Sequence, residues 1–124
     1  MKFEGPISAG DFLDRMSILE IKLEKGLNVS SELEFYNTQK ELFETRGLKY
    51  YSKILKSINI SLWELEDDKR KSVKRYTEEY SDVSTLITQL NDLRYQTKKR
   101  IDVYFKSEIA EQKSHEIEFQ NEKK

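Results

Sequence analysis

Apolar residues return at every third or fourth position along most of the chain, and that period is the mark of an α-helix with one buried face. Tyr51, Ile54, Leu55, Ile58, Leu62 and Leu65 keep it, and Val73, Tyr76 and Tyr80 continue in the same phase. Val83, Leu86, Ile87, Leu90, Ile101, Tyr104 and Phe105 keep it again further on. Four glycines and one proline, Pro6, in 124 residues are too few turn residues for a β-rich domain. Apolar and charged residues each make up 36 %, a mix that suits long helices with narrow apolar stripes. The expected fold is all-α: an antiparallel bundle of about four helices, coiled-coil-like and built on a long helical hairpin, in a single domain over 1–124.

Capping signals place the helices. After an N-terminal arm over 1–8, Ser8 with Asp11 opens a helix over 9–25, which Gly26 closes. Ser31 and Glu34 form a capping box for a second helix over 32–46, ending at Gly47. The polar stretch DDKRKSVKR leaves a loop open over 67–75, but the apolar phase carries through it, which favours one long helix over 49–80. Ser81 and Asp82 cap a fourth over 82–117, and 118–124 is a frayed polar tail. So slim a bundle buries more of its stripe by pairing with a copy of itself, which predicts a homo-oligomer, in the first instance a dimer.

Composition narrows the function. Without cysteine there is no disulfide, zinc–thiolate site or thiol chemistry. No apolar run approaches the ~20 residues that span a bilayer, and MKFEGPIS lacks a signal core, so the expectation is a cytoplasmic protein with no membrane role. Lys+Arg 22 against Asp+Glu 23 gives a net charge of −1, which argues neither for nucleic acid nor for an anionic membrane and leaves nucleic-acid binding a minority reading. The basic clusters at Lys69, Arg70, Lys71, Lys74 and Arg75, and at Lys98, Lys99 and Arg100, are flanked by acids and read as solvated helix faces. His115, the single histidine, lies near the end, and Trp63 flanks the third stripe as core or interface filler. The sequons at Asn28 and Asn59 read as chance matches. Neither a catalytic Ser/His/Asp set nor a phosphate loop is present, so no cofactor or metal is expected and whether the chain is an enzyme stays open.

Helical wheels put polar residues where the core belongs. Glu20 falls within the arc of Phe12, Leu13, Met16, Leu19 and Leu23. Arg94 lies in the stripe between Leu90 and Ile101, with Asn91 and Lys98 on its shoulder, and Glu66 stands beside Leu62 and Leu65. An unpaired buried charge costs several kcal/mol, so Glu20 or Glu66 is expected to pair with Arg94. The network either fixes helix register or forms a polar pocket for a ligand or metal. An arginine beside the acids favours ion pairing over magnesium.

Glu41-x-x-Glu44 followed by Glu64-x-x-Asp67 resembles the acid spacing of the all-α nucleotide pyrophosphohydrolases of the MazG type, in which four acids hold magnesium. Helix geometry opposes it. With a turn near Gly47, Glu64 lies ~20 Å beyond the point that Glu44 would face.

Four blocks, GDFLDRMSILEIKLEK (10–25), LWELEDDKR (62–70), LNDLRYQTKKRID (90–102) and SEIAEQKSHE (107–116), resemble a family of small uncharacterised helical proteins of bacteria and bacteriophages. The family pattern stresses Asp14, Glu20, Lys22, Trp63, Glu66, Asp67, Asn91, Asp92, Arg94, Lys98, Glu108 and Lys113. Gln112 departs from its usual acid, His115 from its usual tyrosine and Lys106 from a frequent glycine. The resemblance implies a helical fold and supplies emphasis, with no reaction attached. Lys22 and Asp67 face outward from the assumed core and would line a second surface.

The first functional expectation is therefore a non-enzymatic helical interaction and assembly protein that self-associates and docks a protein partner, with an exposed apolar strip that includes Ile18, Ile21 or Tyr50. The alternative is a small enzyme or ligand-binding protein using Glu20, Glu66, Arg94 and Lys98 in a pocket between helices.

Overall fold

A computed structural model describes residues 7–39, 46–71 and 78–122, with side chains for all of these except Arg46 and 107–122. Among the described residues four helices make an all-α bundle: α1 (Ala9–Glu24), α2 (Ser30–Gln39), α3 (Arg46–Lys71) and α4 (Glu78–Glu122).

Local chemistry sets the ends of α1. The Ser8 hydroxyl oxygen accepts the Asp11 backbone N–H at 3.1 Å, satisfying one of the orphan donors of the first turn. At the other end Gly26 takes φ 84°, a conformation that other residues adopt only with strain. The Gly26 N–H then reaches the Leu23 carbonyl and the Leu27 N–H the Lys22 carbonyl, each at 3.0 Å, closing the helix in a Schellman motif.

Packing builds on α1, which contacts α2, α3 and α4. Gly10 lies so close to α4 that a Cβ on it would strike the Lys98 backbone, so only glycine permits this approach. The Gly10 backbone N–H donates to the Asp102 carboxylate at 2.7 Å, a negative charge well placed at the start of a helix. Gly47 and Tyr51 of α3 meet Tyr104 of α4, whereas Ile58 and Leu62 cluster with Ile87. Contacts thus advance along α3 as they retreat along α4.

The apolar interior falls into two clusters. The larger draws on all four helices: Phe12, Leu13, Met16 and Leu19, with Leu33, Leu48, Leu55 and Ile101, and Tyr36 packs its ring 4.9 Å from that of Phe12. The smaller consists of Ile58, Leu62 and Ile87, flanked by Leu65, Val83 and Leu90, and involves only α3 and α4.

Several boundaries differ from the expectation. Gly47 does not end the second helix; it lies in the first turn of α3, where a side chain would collide with the Tyr104 ring. α2 starts at Ser30, so Ser31 is helical rather than a cap. The expected helix over 49–80 is described as far as Lys71, its stretch over 72–77, with Val73 and Tyr76, lies outside the described residues, and Ser81 and Asp82 lie inside α4 rather than capping it. Lys69, Arg70 and Lys71 occupy the last described turn of α3, and Glu78 and Glu79 the first described turn of α4, charges that suit a helix C-terminus and N-terminus respectively. α4 also continues through the expected tail to Glu122. Leu23, assigned to the apolar arc of α1, is 42 % exposed, and Ile21, expected on an exposed strip, is buried. With three neighbours, α1 buries an arc of about 220°, turned from the single-stripe face toward Asp14, Ser17 and Ile21.

Candidate functional site

Where α1, α3 and α4 come together the interior is polar. Asp14, 3 % exposed, projects from the middle of α1. Arg94 of α4 grips its carboxylate with two parallel bonds, Nε–H to Oδ1 at 2.9 Å and Nη2–H to Oδ2 at 2.6 Å. Asn59 of α3 donates through Nδ2 to Asp14 Oδ1 at 2.9 Å and to Ser17 Oγ at 2.8 Å. The Ser17 hydroxyl in turn donates to the Asp14 carbonyl at 2.7 Å. Lys98 stands 3.7 Å from Asp14 Oδ2 while its ammonium pairs with Asp11 at 2.7 Å. Three helices are thereby pinned at one level by a carboxylate with charged and neutral donors around it.

Electrostatics follow from these contacts. The hydrogen bond to Asp14 holds the Arg94 guanidinium above its ordinary pKa, against the opposing effect of burial. The Lys98 ammonium, through its hydrogen bond, holds the Asp11 carboxyl below its ordinary value. With both oxygens of Asp14 already accepting hydrogen bonds, that carboxylate is poorly placed to take a substrate proton or a metal. Among the described residues no group of three or more metal-ligating side chains occurs.

Beside the clamp an open groove of about 320 Å³ runs between α1, α3 and α4. Ile18, Ile21, Leu62 and Trp63 form its apolar lining, and Asn59, Glu66, Arg70, Asn91 and Arg94 its polar lining.

The expected network is only partly assembled. Glu66, Asn91 and Arg94 do converge, on the groove, but Glu66 and Asn91 are exposed. The carboxylate that pairs with Arg94 is Asp14, not Glu20 or Glu66. Glu20 instead shares the Lys56 ammonium with Glu24, at 3.2 and 2.7 Å, on a half-exposed edge of α1 and α3. Lys98 joins the clamp through Asp11 and Asp14. Lys22 is half-buried and forms no ion pair among the described residues. Asp67 accepts from Lys71 at 3.1 Å within α3 and stands 3.8 Å from Arg70. Glu108, Lys113 and His115 fall on the part of α4 whose side chains lie outside the described residues, as do Glu41 and Glu44 of the acid spacing. Glu64 is exposed.

Asn59 and Ser17 were missed, and Asp14 was known only through the resemblance. One signal was available: Gly10, Asp14, Ser17 and Ile21 follow each other at four, three and four residues, a second helical face alongside the apolar arc.

No family model matches the chain, and neither the curated proteins nor the solved structures offer a match. The resemblance in the four blocks therefore rests on those residues alone.

Proposed function

We propose that the chain is a non-enzymatic assembly protein that self-associates through the face of α3 and α4 lying away from α1. The observation that carries this reading is a set of large apolar side chains left in solvent there: Tyr50, Ile54, Leu86, Leu93 and Val103, between 46 % and 66 % exposed. Helical geometry places them. Asn59 and Arg94 face α1; Tyr50 and Ile54 lie ~180° and ~140° round α3 from Asn59, and Leu86 and Leu93 lie ~80–100° round α4 from Arg94. Val103 lies ~180° from Arg94. One side of the α3–α4 layer is thus covered by α1 and the other presents apolar residues to water, an arrangement that favours burial against a further layer.

A second copy of the chain is the occupant that supports this best. At 1.5 Å per residue α4 is ~68 Å long and α3 ~39 Å, so α4 outruns its neighbour by several turns. So long a helix gains most of its stability by packing. A two-fold pairing of identical faces supplies it without a net charge penalty, since the chain carries only −1. Phe35 on α2, 62 % exposed, is then free to anchor a protein partner. No helix among the described residues is long and apolar enough to cross a membrane. The Asp14 carboxylate, which already accepts three hydrogen bonds, supports a positioning role rather than a catalytic one.

Size-exclusion with light scattering on the full chain tests the proposal. The expected mass is twice 14.8 kDa. Replacing Leu86 and Leu93 together by glutamate returns a monomer with unchanged helicity. A parent chain that stays monomeric at about 100 µM, where even modest dimers form, overturns it.

A further inference from the structure

The groove beside the clamp holds polar groups that the fold leaves unused. A guanidinium has five N–H donors; Asp14 takes two of those of Arg94, which leaves three on a side chain that lines the groove. The Asn91 carboxamide, the Trp63 indole N–H and the Glu66 carboxylate, all on the same lining, make no hydrogen bond or ion pair among the described residues. Arg70 has one carboxylate near it, Asp67 at 3.8 Å, and the hydrogen bond of that carboxylate goes to Lys71. Unmatched polar groups beside an apolar wall of Trp63, Leu62, Ile18 and Ile21 are the makings of a ligand site, and about 320 Å³ is the lower end of the usual size.

Charge selects the ligand. The charge of Arg94 is already matched from behind by Asp14, so it offers hydrogen-bond donors with little net attraction for an anion. That leaves one cation, Arg70, and one anion, Glu66, facing the groove. The Lys25 ammonium also stands 5.9 Å from the Trp63 ring centroid, but a phosphate dianion offers the Glu66 carboxylate no cation and is repelled by it. A net-neutral ligand with separated charges meets no such repulsion. We propose that this groove binds a small zwitterion with an apolar side chain, an amino acid or a dipeptide. Its carboxylate takes the donors of Arg94 and Arg70, its ammonium faces Glu66, and its side chain lies against Trp63 and Leu62. The site is separate from the self-association face and does not depend on it.

Trp63 is the one tryptophan of the chain, so its fluorescence reports occupancy directly. L-leucine and the dipeptide Leu-Leu are titrated against the full chain, with isocaproate (no ammonium), isoamylamine (no carboxylate) and inorganic phosphate as comparisons. The expected result is a saturable change with leucine or Leu-Leu, the tighter of the two identifying the source, and binding about tenfold weaker or absent for the three comparisons. Glu66→Gln and Arg70→Gln, both exposed positions that leave helicity intact, each weaken binding about tenfold, whereas the Leu86/Leu93 double glutamate variant binds as the parent does. No saturable change up to about 10 mM, equal binding of isocaproate or phosphate, or parent-like affinity in both groove variants overturns the assignment.

Discussion

The two ends of the bundle are built from the same residue types and differ in how many helices cover them. At one end all four helices converge, and at its centre Leu55 and Ile101 reach 0 % exposure while Phe12, Leu19 and Leu33 keep 6–7 %. At the other the apolar cluster comes from α3 and α4 alone, with α1 reaching only its groove side, and none of Ile58, Leu62 and Ile87 falls below 6 %. Between them lies the Asp14 clamp. An apolar stripe in the sequence thus fixes which face turns inward, while the depth of burial depends on the number of neighbours. At the thin end the stripe runs out of cover, and the groove and the exposed Leu86 both lie there.

Truncating each core gives the largest contrast. Leu55→Ala leaves a cavity enclosed on all sides and is expected to cost about 3–4 kcal/mol, within the range for sealed leucine sites. Ile87→Ala opens onto a surface that relaxes around it and is expected to cost nearer 2 kcal/mol. Urea unfolding of both variants checks this, and equal losses would break the distinction between the two ends.

A smaller effect tests the edge of the clamp. The Asp11 carboxyl is held below its ordinary 3.8 by the Lys98 ammonium. A lowered carboxyl contributes stability above the unfolded value, and that contribution is lost as pH falls through the folded one. Asp11 is half-exposed, so the pair is worth well under about 1 kcal/mol. Asp11→Asn should therefore be slightly less stable than the parent at neutral pH and should match it once the pH is well below 3.8. A gap between the two that persists unchanged in acid would show that the contact with Lys98 is not what lowers Asp11.

Much of this was legible in the residues. Spacing alone dictated helices, and Ser8 and Gly26 marked the ends of α1 by the chemistry of their caps. Arg94 stood out because a guanidinium inside an apolar stripe needs a partner. That partner was not legible, because a single-helix wheel shows where apolar residues cluster and not how many neighbours the helix has. Asp14 lies beside the arc of Phe12, Met16 and Leu19 and is buried only because α3 and α4 also close on α1. Asn59 is hidden for the same reason: it sits next to Ile58 and is covered by α1, a contact 42 to 45 residues away in sequence. Gly47 misled because a glycine after a helical stretch serves as a stop far more often than as room for a tyrosine ring.

The central claim is that Asp14 and Arg94 act on each other across the bundle as a structural pin, and a double-mutant cycle measures that directly. Arg94→Met alone strands a buried carboxylate and is expected to cost about 3–5 kcal/mol, whereas Asp14→Leu leaves a guanidinium that reaches the open groove and is expected to cost less. Combined, the two leave an apolar pair of similar volume, and the double variant should recover most of the loss, with a coupling energy above about 2 kcal/mol. Single variants within about 0.5 kcal/mol of the parent, or losses that simply add, would contradict the account.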